Sequence, residues 1–279
     1  MEGAGVQGVG VRGVGVEGAG VSGPPGGATG TVDAGFVLAT YNIKSATLDR
    51  TALVGAVRAL APDVLLVQEA PNHLRWRSAA ARLARETGLL HVAGGRPAGT
   101  NALFVRMRVG SVETWSRRWP TPPRDPVRGL VGAVLRVSGQ LLGVVGAHYP
   151  LSPDARLRYG EQVVGAVAEL GRRAPVVLLG ADLNEDPGGP VWEQLTEAGL
   201  TDTAVSGAAR EAADGRPRLL PAATYPASDP VHRIDTVWVS GAVTVLSAGV
   251  PAAVDTDVGA LRAASDHLPW IVRASMAVT

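Results

Sequence analysis

Short apolar runs, each closed by a polar residue, set the rhythm of this chain. Phe36-Val37-Leu38-Ala39-Thr40-Tyr41-Asn42-Ile43, Val64-Leu65-Leu66-Val67, Leu141-Leu142-Gly143-Val144-Val145-Gly146-Ala147 and Ala174-Pro175-Val176-Val177-Leu178-Leu179 are apolar at nearly consecutive positions. That is the pattern of strands buried on both faces. Between them the period changes to that of helices. Asp49 or Thr51 can cap a helix whose Leu53, Val57 and Leu60 fall at i, i+4 and i+7, and Pro62 ends it. Residues 72–87 read as a basic helix (Arg75, Arg77, Arg82, Arg85), and a helix from about Asp154 to Gly171 carries Val163, Val167 and Leu170 on one face. Trp192, Leu195 and Leu200 fit a short helix. Shorter β segments are predicted near 89–93, 101–106, 110–116, 129–137, 233–239, 242–249 and 270–273. The loop 117–128, with Arg117, Arg118, Arg124 and Arg128, reads as solvated. Strands and helices alternate early, while β pairs dominate the middle and end, so layered sheets with helices outside fit better than a simple doubly wound fold.

The first residues break this rhythm. Residues 2–21 repeat with period five, from Glu2-Gly-Ala-Gly-Val6 to Glu17-Gly-Ala-Gly-Val21. Dense glycine makes ordering entropically costly, and no large side chain offsets it. The domain expectation is therefore a disordered Gly/Val-rich tail over 1–31 and one folded domain over 32–279. Hydrophobic residues make up 46% of the chain but aromatic ones only 4%, which leaves Val, Leu and Ala to fill the core. No run approaches the roughly 18 apolar residues of a membrane span, and no basic n-region precedes an apolar stretch. A cytoplasmic protein is expected. The absence of cysteine excludes disulfides, thiolate nucleophiles and Cys-based zinc sites. A net charge of +1, from 26 basic and 25 acidic residues, leaves nucleic acid binding open, because a local basic patch is compatible with near neutrality.

Candidate chemistry collects at the strand ends. Asn42 closes the first strand, Glu69 follows the second, His148 ends the 141–147 run, Asp182 and Asn184 follow the 174–179 run, and Asp266-His267 precedes the last strand. If the extended conformation continues, Asp182 and Asn184 project from the same face; the alternative is an Asx-type turn. Turns explain Asp or Asn at such a place but not Glu and His, which are not preferred turn formers. Converging ends would gather hard oxygen ligands and two imidazoles, a set suited to Mg²⁺, Mn²⁺ or Ca²⁺ rather than Zn²⁺. Asp235 lies between apolar residues where a strand would bury it, and a buried carboxylate demands a partner, for which His267 is the candidate. His73, His91 and His232 have no such context and read as structural.

Thr40-Tyr41-Asn42-Ile43, Gln68-Glu69, His148-Tyr149-Pro150, Gly180-Ala181-Asp182-Leu183-Asn184, Arg233-Ile234-Asp235 and Ser265-Asp266-His267 together resemble the ordered motif set of the endonuclease/exonuclease/phosphatase superfamily, over roughly residues 36–275. The resemblance implies an α/β fold, a four-layered sandwich of two central mixed β-sheets packed face to face with helices outside. It also implies a divalent-metal-dependent phosphoesterase using Mg²⁺, or Mn²⁺ in its place. By the same resemblance Glu69 is the main metal ligand, with Asn42 and Asp266 beside it or holding metal-bound water and phosphate. Asp182 orients or deprotonates the attacking water, and Asn184 fixes its geometry or the scissile phosphate. His267 bonds the phosphoryl oxygen, Asp235 holds that imidazole, and His148 donates toward the leaving group. The implied partner is a phosphoester substrate, nucleic acid among the candidates, acted on by a monomer. Nuclease-like phosphodiester hydrolysis is the first expectation, a phosphomonoesterase acting on a small or lipid-like phosphate the second, and an inactive binding protein on the same fold the rival. A basic stripe of Arg75, Arg77, Arg117, Arg118 and Arg124 beside the site would favour nucleic acid; scattered arginines would favour a small substrate.

Overall fold

Strict alternation along the buried strands decides the layers. In β1 (Ala34–Asn42), Phe36 and Leu38 point to one side and Val37, Ala39 and Tyr41 to the other. In β2 (Val64–Gln68), Val64 and Leu66 alternate in the same way with Leu65 and Val67. A strand with both faces apolar has to be covered on both, and the computed structural model, which describes Met1 and residues 34–121, 126–206, 218–252 and 257–277, covers them with a second sheet and with helices. The expected tail and Arg124 lie outside the described residues.

The first sheet adds β3 (Leu90–Gly94), β4 (Ala102–Val105), β10 (Leu219–Leu220), β12 (Thr244–Pro251) and β13 (Trp270–Met276), in the order β10-β12-β13-β1-β2-β4-β3. The second contains β5 (Gly110–Arg118), β6 (Gly129–Val137), β7 (Gln140–His148), β8 (Val176–Asp182), β9 (Thr201–Asp202) and β11 (Asp235–Ser240), in the order β5-β6-β7-β8-β11-β9. Both are mixed: β1 runs parallel to β2 and antiparallel to β13, and β8 runs parallel to β7 and antiparallel to β11. Leu38, Leu66, Leu103 and Trp270 of the first sheet meet Val131, Val144, Leu178 and Val237 of the second in the central core. Helices α1 (Arg50–Leu60) and α2 (Trp76–Thr87) cover the outer face of the first sheet through Leu53, Val57, Ala80 and Leu83. Helices α3 (Pro153–Gly171) and α4 (Pro190–Glu197) cover the second through Val163, Val167, Leu170 and Leu195. The four-layered α/β sandwich expected above is the fold. Two short helices that the spacing did not predict, α5 (Thr203–Ser206) and α6 (Val258–Ala264), complete it.

Local signals placed most boundaries. Asp49, rather than Thr51, caps α1 by accepting from Ala52 N, and Ala61 leaves the helix at φ 51° before Pro62. Two expectations need correction. The basic helix starts at Trp76, four residues later than 72, because Trp76 is buried and anchors the first turn. The stretch 117–128 is not one solvated loop: Arg117 and Arg118 are exposed as expected but belong to β5, where Arg117 stacks 4.1 Å over the Trp115 ring and pairs with Glu169, and Arg128 is buried.

One packing detail positions the site. Gly146 and Gly180 are paired partners on β7 and β8, just before the strands end. A Cβ on Gly180 would lie 2.7 Å from Leu66 Cδ1 and 3.0 Å from Thr40 Cβ, and one on Gly146 would lie 2.7 Å from Val131 Cγ1. The missing side chains let the two sheets approach where Thr40 and Leu66 lead into Asn42 and Glu69.

Candidate active site

The strand register lines up three site residues on the second sheet. His148 pairs with Asp182 across β7 and β8, and Asp182 pairs with Asp235 across β8 and β11, so imidazole, carboxylate and carboxylate stand in one row. Asn42 closes β1 on the facing sheet, and the segment before β13 brings Asp266 and His267 to the same end. Residues 140 positions apart thereby meet: Asn42 Nδ2 donates to Asp182 Oδ2 at 2.9 Å.

Asp182 is the hub. Its Oδ2 lies 3.4 Å from His148 Nε2 and 3.9 Å from His267 Nε2, and its Oδ1 accepts from Asn184 N at 3.0 Å. That last bond is an Asx-type turn, and Asn184 has φ +50°. The same-face argument for Asp182 and Asn184 therefore fails, because the extended conformation stops at Asp182. Both residues still line the cleft, and Asn184 Nδ2 donates to Tyr149 O at 2.9 Å. Glu69, at φ +51°, is half-buried on the opposite wall, 3.3 Å from Asn42 Nδ2. Asn42 Oδ1 accepts from Lys44 N, so this side chain turns its NH₂ group, not its carbonyl oxygen, toward the two carboxylates. As placed, Asn42 is a bridge between Glu69 and Asp182 rather than an oxygen ligand.

The two imidazoles are set in opposite states. His267 Nδ1 lies 2.8 Å from Asp235 Oδ2. Burial pulls His267 down, but Asp235, with Asp182 and Asp266, outweighs it and lifts the group to about 9. The ring also packs against Tyr225, with centroids 4.8 Å apart. His148 is lowered to about 4, first by burial and further by Arg128 and His267, against the pull of Asp182. His267 is thus an imidazolium near neutrality and His148 a neutral imidazole. Arg128 is itself buried, and its Nε donates to Tyr149 O at 3.1 Å. Lys44 Nζ sits 2.6 Å from Asp266 Oδ2.

The cleft, about 580 Å³, is lined by Asn42, Glu69, His148, Asp182, Asn184, Asp266 and His267, and Asp235 stands behind His267. All eight expected site residues are brought to one place. The sequence reading missed Arg128, Tyr225 and Asn72, which line the same cleft. Arg128 offered no signal but its charge, Tyr225 none at all, and Asn72 lies close after Gln68-Glu69. His91 packs edge-on between Trp76 and Phe104, and His232 pairs with Asp186 at 2.5 Å, outside the cleft lining.

Donor chemistry suits a hard divalent cation. The carboxylates of Glu69, Asp182, Asp235 and Asp266 exceed the cations Lys44, Arg128 and His267 set among them, so added positive charge is favoured. Asp182, Asp235 and His267 each place a donor atom within 4.8 Å of the others. Asp235 Oδ2, however, is engaged by the imidazole Nδ1, so this buried trio is better described as a hydrogen-bonded relay than as the cation site. Glu69 and Asp266 are the more open carboxylates of the cleft, with Asp266 Oδ2 paired to Lys44.

A sheet-to-sheet sandwich with carboxylates and imidazoles gathered at one end suits metal-assisted phosphoester hydrolysis. The sequence profile described as "Endonuclease/Exonuclease/phosphatase family" matches residues 39–267, and the chain belongs to that family of divalent-metal-dependent enzymes. No curated protein sequence matches the chain. Among solved structures, an endonuclease/exonuclease/phosphatase family protein from Bacteroides thetaiotaomicron is 19% identical, covers 88% of this chain and 99% of its own, and superposes with a TM-score of 0.66. A mannosyl-6-phosphatase from the same organism is 19% identical over 86% of this chain and 100% of its own, with a TM-score of 0.67. D. rerio TDP2, complexed with a single-strand DNA product, is 17% identical over 88% of this chain and 100% of its own, with a TM-score of 0.64. These likenesses establish the fold. No helix among the described residues is long and apolar enough to cross a membrane.

Proposed function

We propose that this chain hydrolyses a phosphoester of a compact substrate by in-line attack of an activated water, with Mg²⁺ or Mn²⁺ bound. The observation that carries the proposal is the convergence of Asn42, His148 and His267 on Asp182, with Glu69 and Asp266 opening onto the same cleft. Glu69 and Asp266 would hold the cation, whose charge would neutralise the phosphoryl oxygens. Asp182 takes the proton of the attacking water, positioned by the Asn42 amide, and Asn184 shapes the turn that presents it. The His267 imidazolium donates from Nε2 to the phosphoryl oxygen on which charge grows, and Asp235 keeps it protonated and aimed. His148, neutral, serves as a hydrogen-bond donor near the leaving oxygen rather than as a strong acid.

The arginine distribution favours a compact substrate. Among the described residues, Arg75, Arg77, Arg117 and Arg118 do not line the cleft and Arg128 does, while Arg124 lies outside the described residues. A second reading, phosphodiester hydrolysis in nucleic acid, draws on the closeness of Asn72 in the cleft wall to Arg75 and Arg77, and on the product-bound TDP2 neighbour. The test is hydrolysis of p-nitrophenyl phosphate, bis-(p-nitrophenyl) phosphate and plasmid DNA with Mg²⁺ or Mn²⁺, for wild type, Glu69→Gln and His267→Ala. Turnover that EDTA abolishes and both variants cripple is expected. Undiminished activity in EDTA or in Glu69→Gln would sink the metal assignment, and plasmid cleavage outrunning both small esters would favour the second reading.

A further inference from the structure

The catalytic cleft does not end at Arg128. Beyond it opens a second chamber of about 630 Å³, bounded by Trp119, Pro150, Leu151, Ala155 and Arg158, and Arg128 and Leu151 line both spaces. Its walls differ from those of the cleft. Among the described residues the carboxylates and imidazoles stay on the cleft side, and the chamber offers the Trp119 indole, the rings of Pro120, Pro126 and Pro150, aliphatic carbon and the hydroxyls of Thr121 and Ser152, with Arg158 as its charged group beside Arg128. Leu151 is 68% exposed, a large apolar side chain left without a cover at the junction of the two spaces.

The Trp119 side of the chamber is held in place. Trp119 packs edge-on against Tyr159 at 5.7 Å, and Tyr159 against Tyr149 at 4.9 Å. Tyr159 is fully buried and its hydroxyl donates to Gly129 O. The Trp119 amide in turn donates to Arg128 O, so the indole wall and the buried guanidinium are fixed relative to one another. Arg128 at the boundary feels the carboxylates of Asp182 and Glu69 from the cleft side, so a substrate phosphate seated in the cleft lies beside the wall that Arg128 and Leu151 share with the chamber. The remainder of the molecule then lies in the apolar chamber.

We propose that this chamber is the subsite for the alcohol portion of the substrate, and that it selects a flat, apolar ring. The proposal rests on the phosphoester reading above. The Trp119 indole and the proline rings of the wall are rigid, and an aromatic ring packs against them with less loss of conformational freedom than a flexible chain. Its volume is in the range of small-molecule sites.

The experiment compares kcat/KM for 1-naphthylmethyl, octyl and glycerol phosphate, all alkyl esters with leaving alcohols of similar acidity, with wild type, Leu151→Ser and Ala155→Phe. Leu151 is exposed and Ala155 is half-buried on the first turn of α3, so both variants should fold, and a thermal melt checks this. Wild type should prefer the naphthylmethyl over the glycerol ester by roughly tenfold or more. That ratio should collapse when Leu151 loses its apolar surface or a phenylalanine fills the chamber. Equal use of naphthylmethyl and glycerol esters, or octyl preferred to naphthylmethyl, or a ratio unmoved in both variants, would overturn the proposal. Calorimetric binding of 1-naphthyl phosphonate and glycerol phosphonate separates the two readings. Naphthyl-selective binding that depends on Leu151, in a protein that turns over no ester, would keep the chamber and overturn the hydrolytic function. Turnover without selectivity would do the reverse.

Discussion

His267 Nδ1 lies 2.8 Å from Asp235 Oδ2, and both side chains are buried. The pair fixes one nitrogen of the ring and leaves the other, Nε2, turned to Asp182 and the cleft. Asp235 Oδ1 has no hydrogen-bond partner among the described residues, so the imidazolium is the principal compensation for this carboxylate. Asp235→Asn should keep the shape but lose the charge that holds His267 protonated. We expect kcat to fall on the order of a hundredfold or more, with cation affinity little changed. Steady-state kinetics together with the NMR titration of His267 check this. A normal kcat in a variant whose His267 titrates near the usual imidazole range would remove the pair from the mechanism.

Stability should depend on pH through the two histidines in opposite senses. His267 is raised to about 9 in the fold against 6.5 unfolded, so its stabilising contribution is complete below about 6.5 and is lost as pH rises through about 9. The size is about 3 kcal/mol at most, taking roughly 1.4 kcal/mol per unit. His148 is lowered to about 4, so stability should instead fall as pH drops from about 6.5 toward 4, where the unfolded chain binds a proton that the folded one refuses. Urea unfolding of the metal-free protein across this range, compared with His267→Gln and His148→Gln, isolates each limb. Identical profiles in wild type and variants would refute both assignments.

Lys44 and Glu69 should move cation affinity in opposite directions. Lys44 Nζ neutralises Asp266 from 2.6 Å, and Glu69 stands open to the cleft. Glu69→Gln should weaken Mn²⁺ binding roughly 10-fold or more, and Lys44→Met, by releasing Asp266, should strengthen it. Paramagnetic titration of Mn²⁺ reads both without any substrate. If Lys44→Met binds more weakly, Asp266 is not a cation ligand.

Sheet spacing should govern the site at a distance. Gly180→Ala places a methyl 2.7 Å from Leu66 Cδ1 in a closed core, so a cost of about 1–3 kcal/mol is expected. Because Thr40 and Leu66 lie directly against that methyl and lead to Asn42 and Glu69, kcat should drop as well, although Gly180 touches no substrate. A stable, fully active Gly180→Ala would mean that the sheets do not need this closeness.

Much of this was legible in the chain. The doubly apolar runs at 36–43, 64–67, 141–147 and 174–179 became central strands because both of their faces are covered, and the acids and imidazoles closing them all reached one cleft. Less local features were hidden. Nothing in its neighbours marks Arg128 as buried, since burial follows from the Tyr149 carbonyl and Tyr159 that tertiary packing brings to it. The direction of the Asn42 amide was equally unreadable, because a backbone N–H of the following turn and two carboxylates from other strands fix it.

What the sequence determined by itself is the set of chemical groups and the strand ends that carry them, because side-chain alternation, capping and turn preference act over a few residues. Tertiary structure alone decided which groups face one another. Asn42 meets Asp182 across 140 residues, and His148 and His267 take opposite protonation states beside the same carboxylate. Those outcomes depend on how closely two sheets pack at Gly146 and Gly180 and on which charges are shut away from water together.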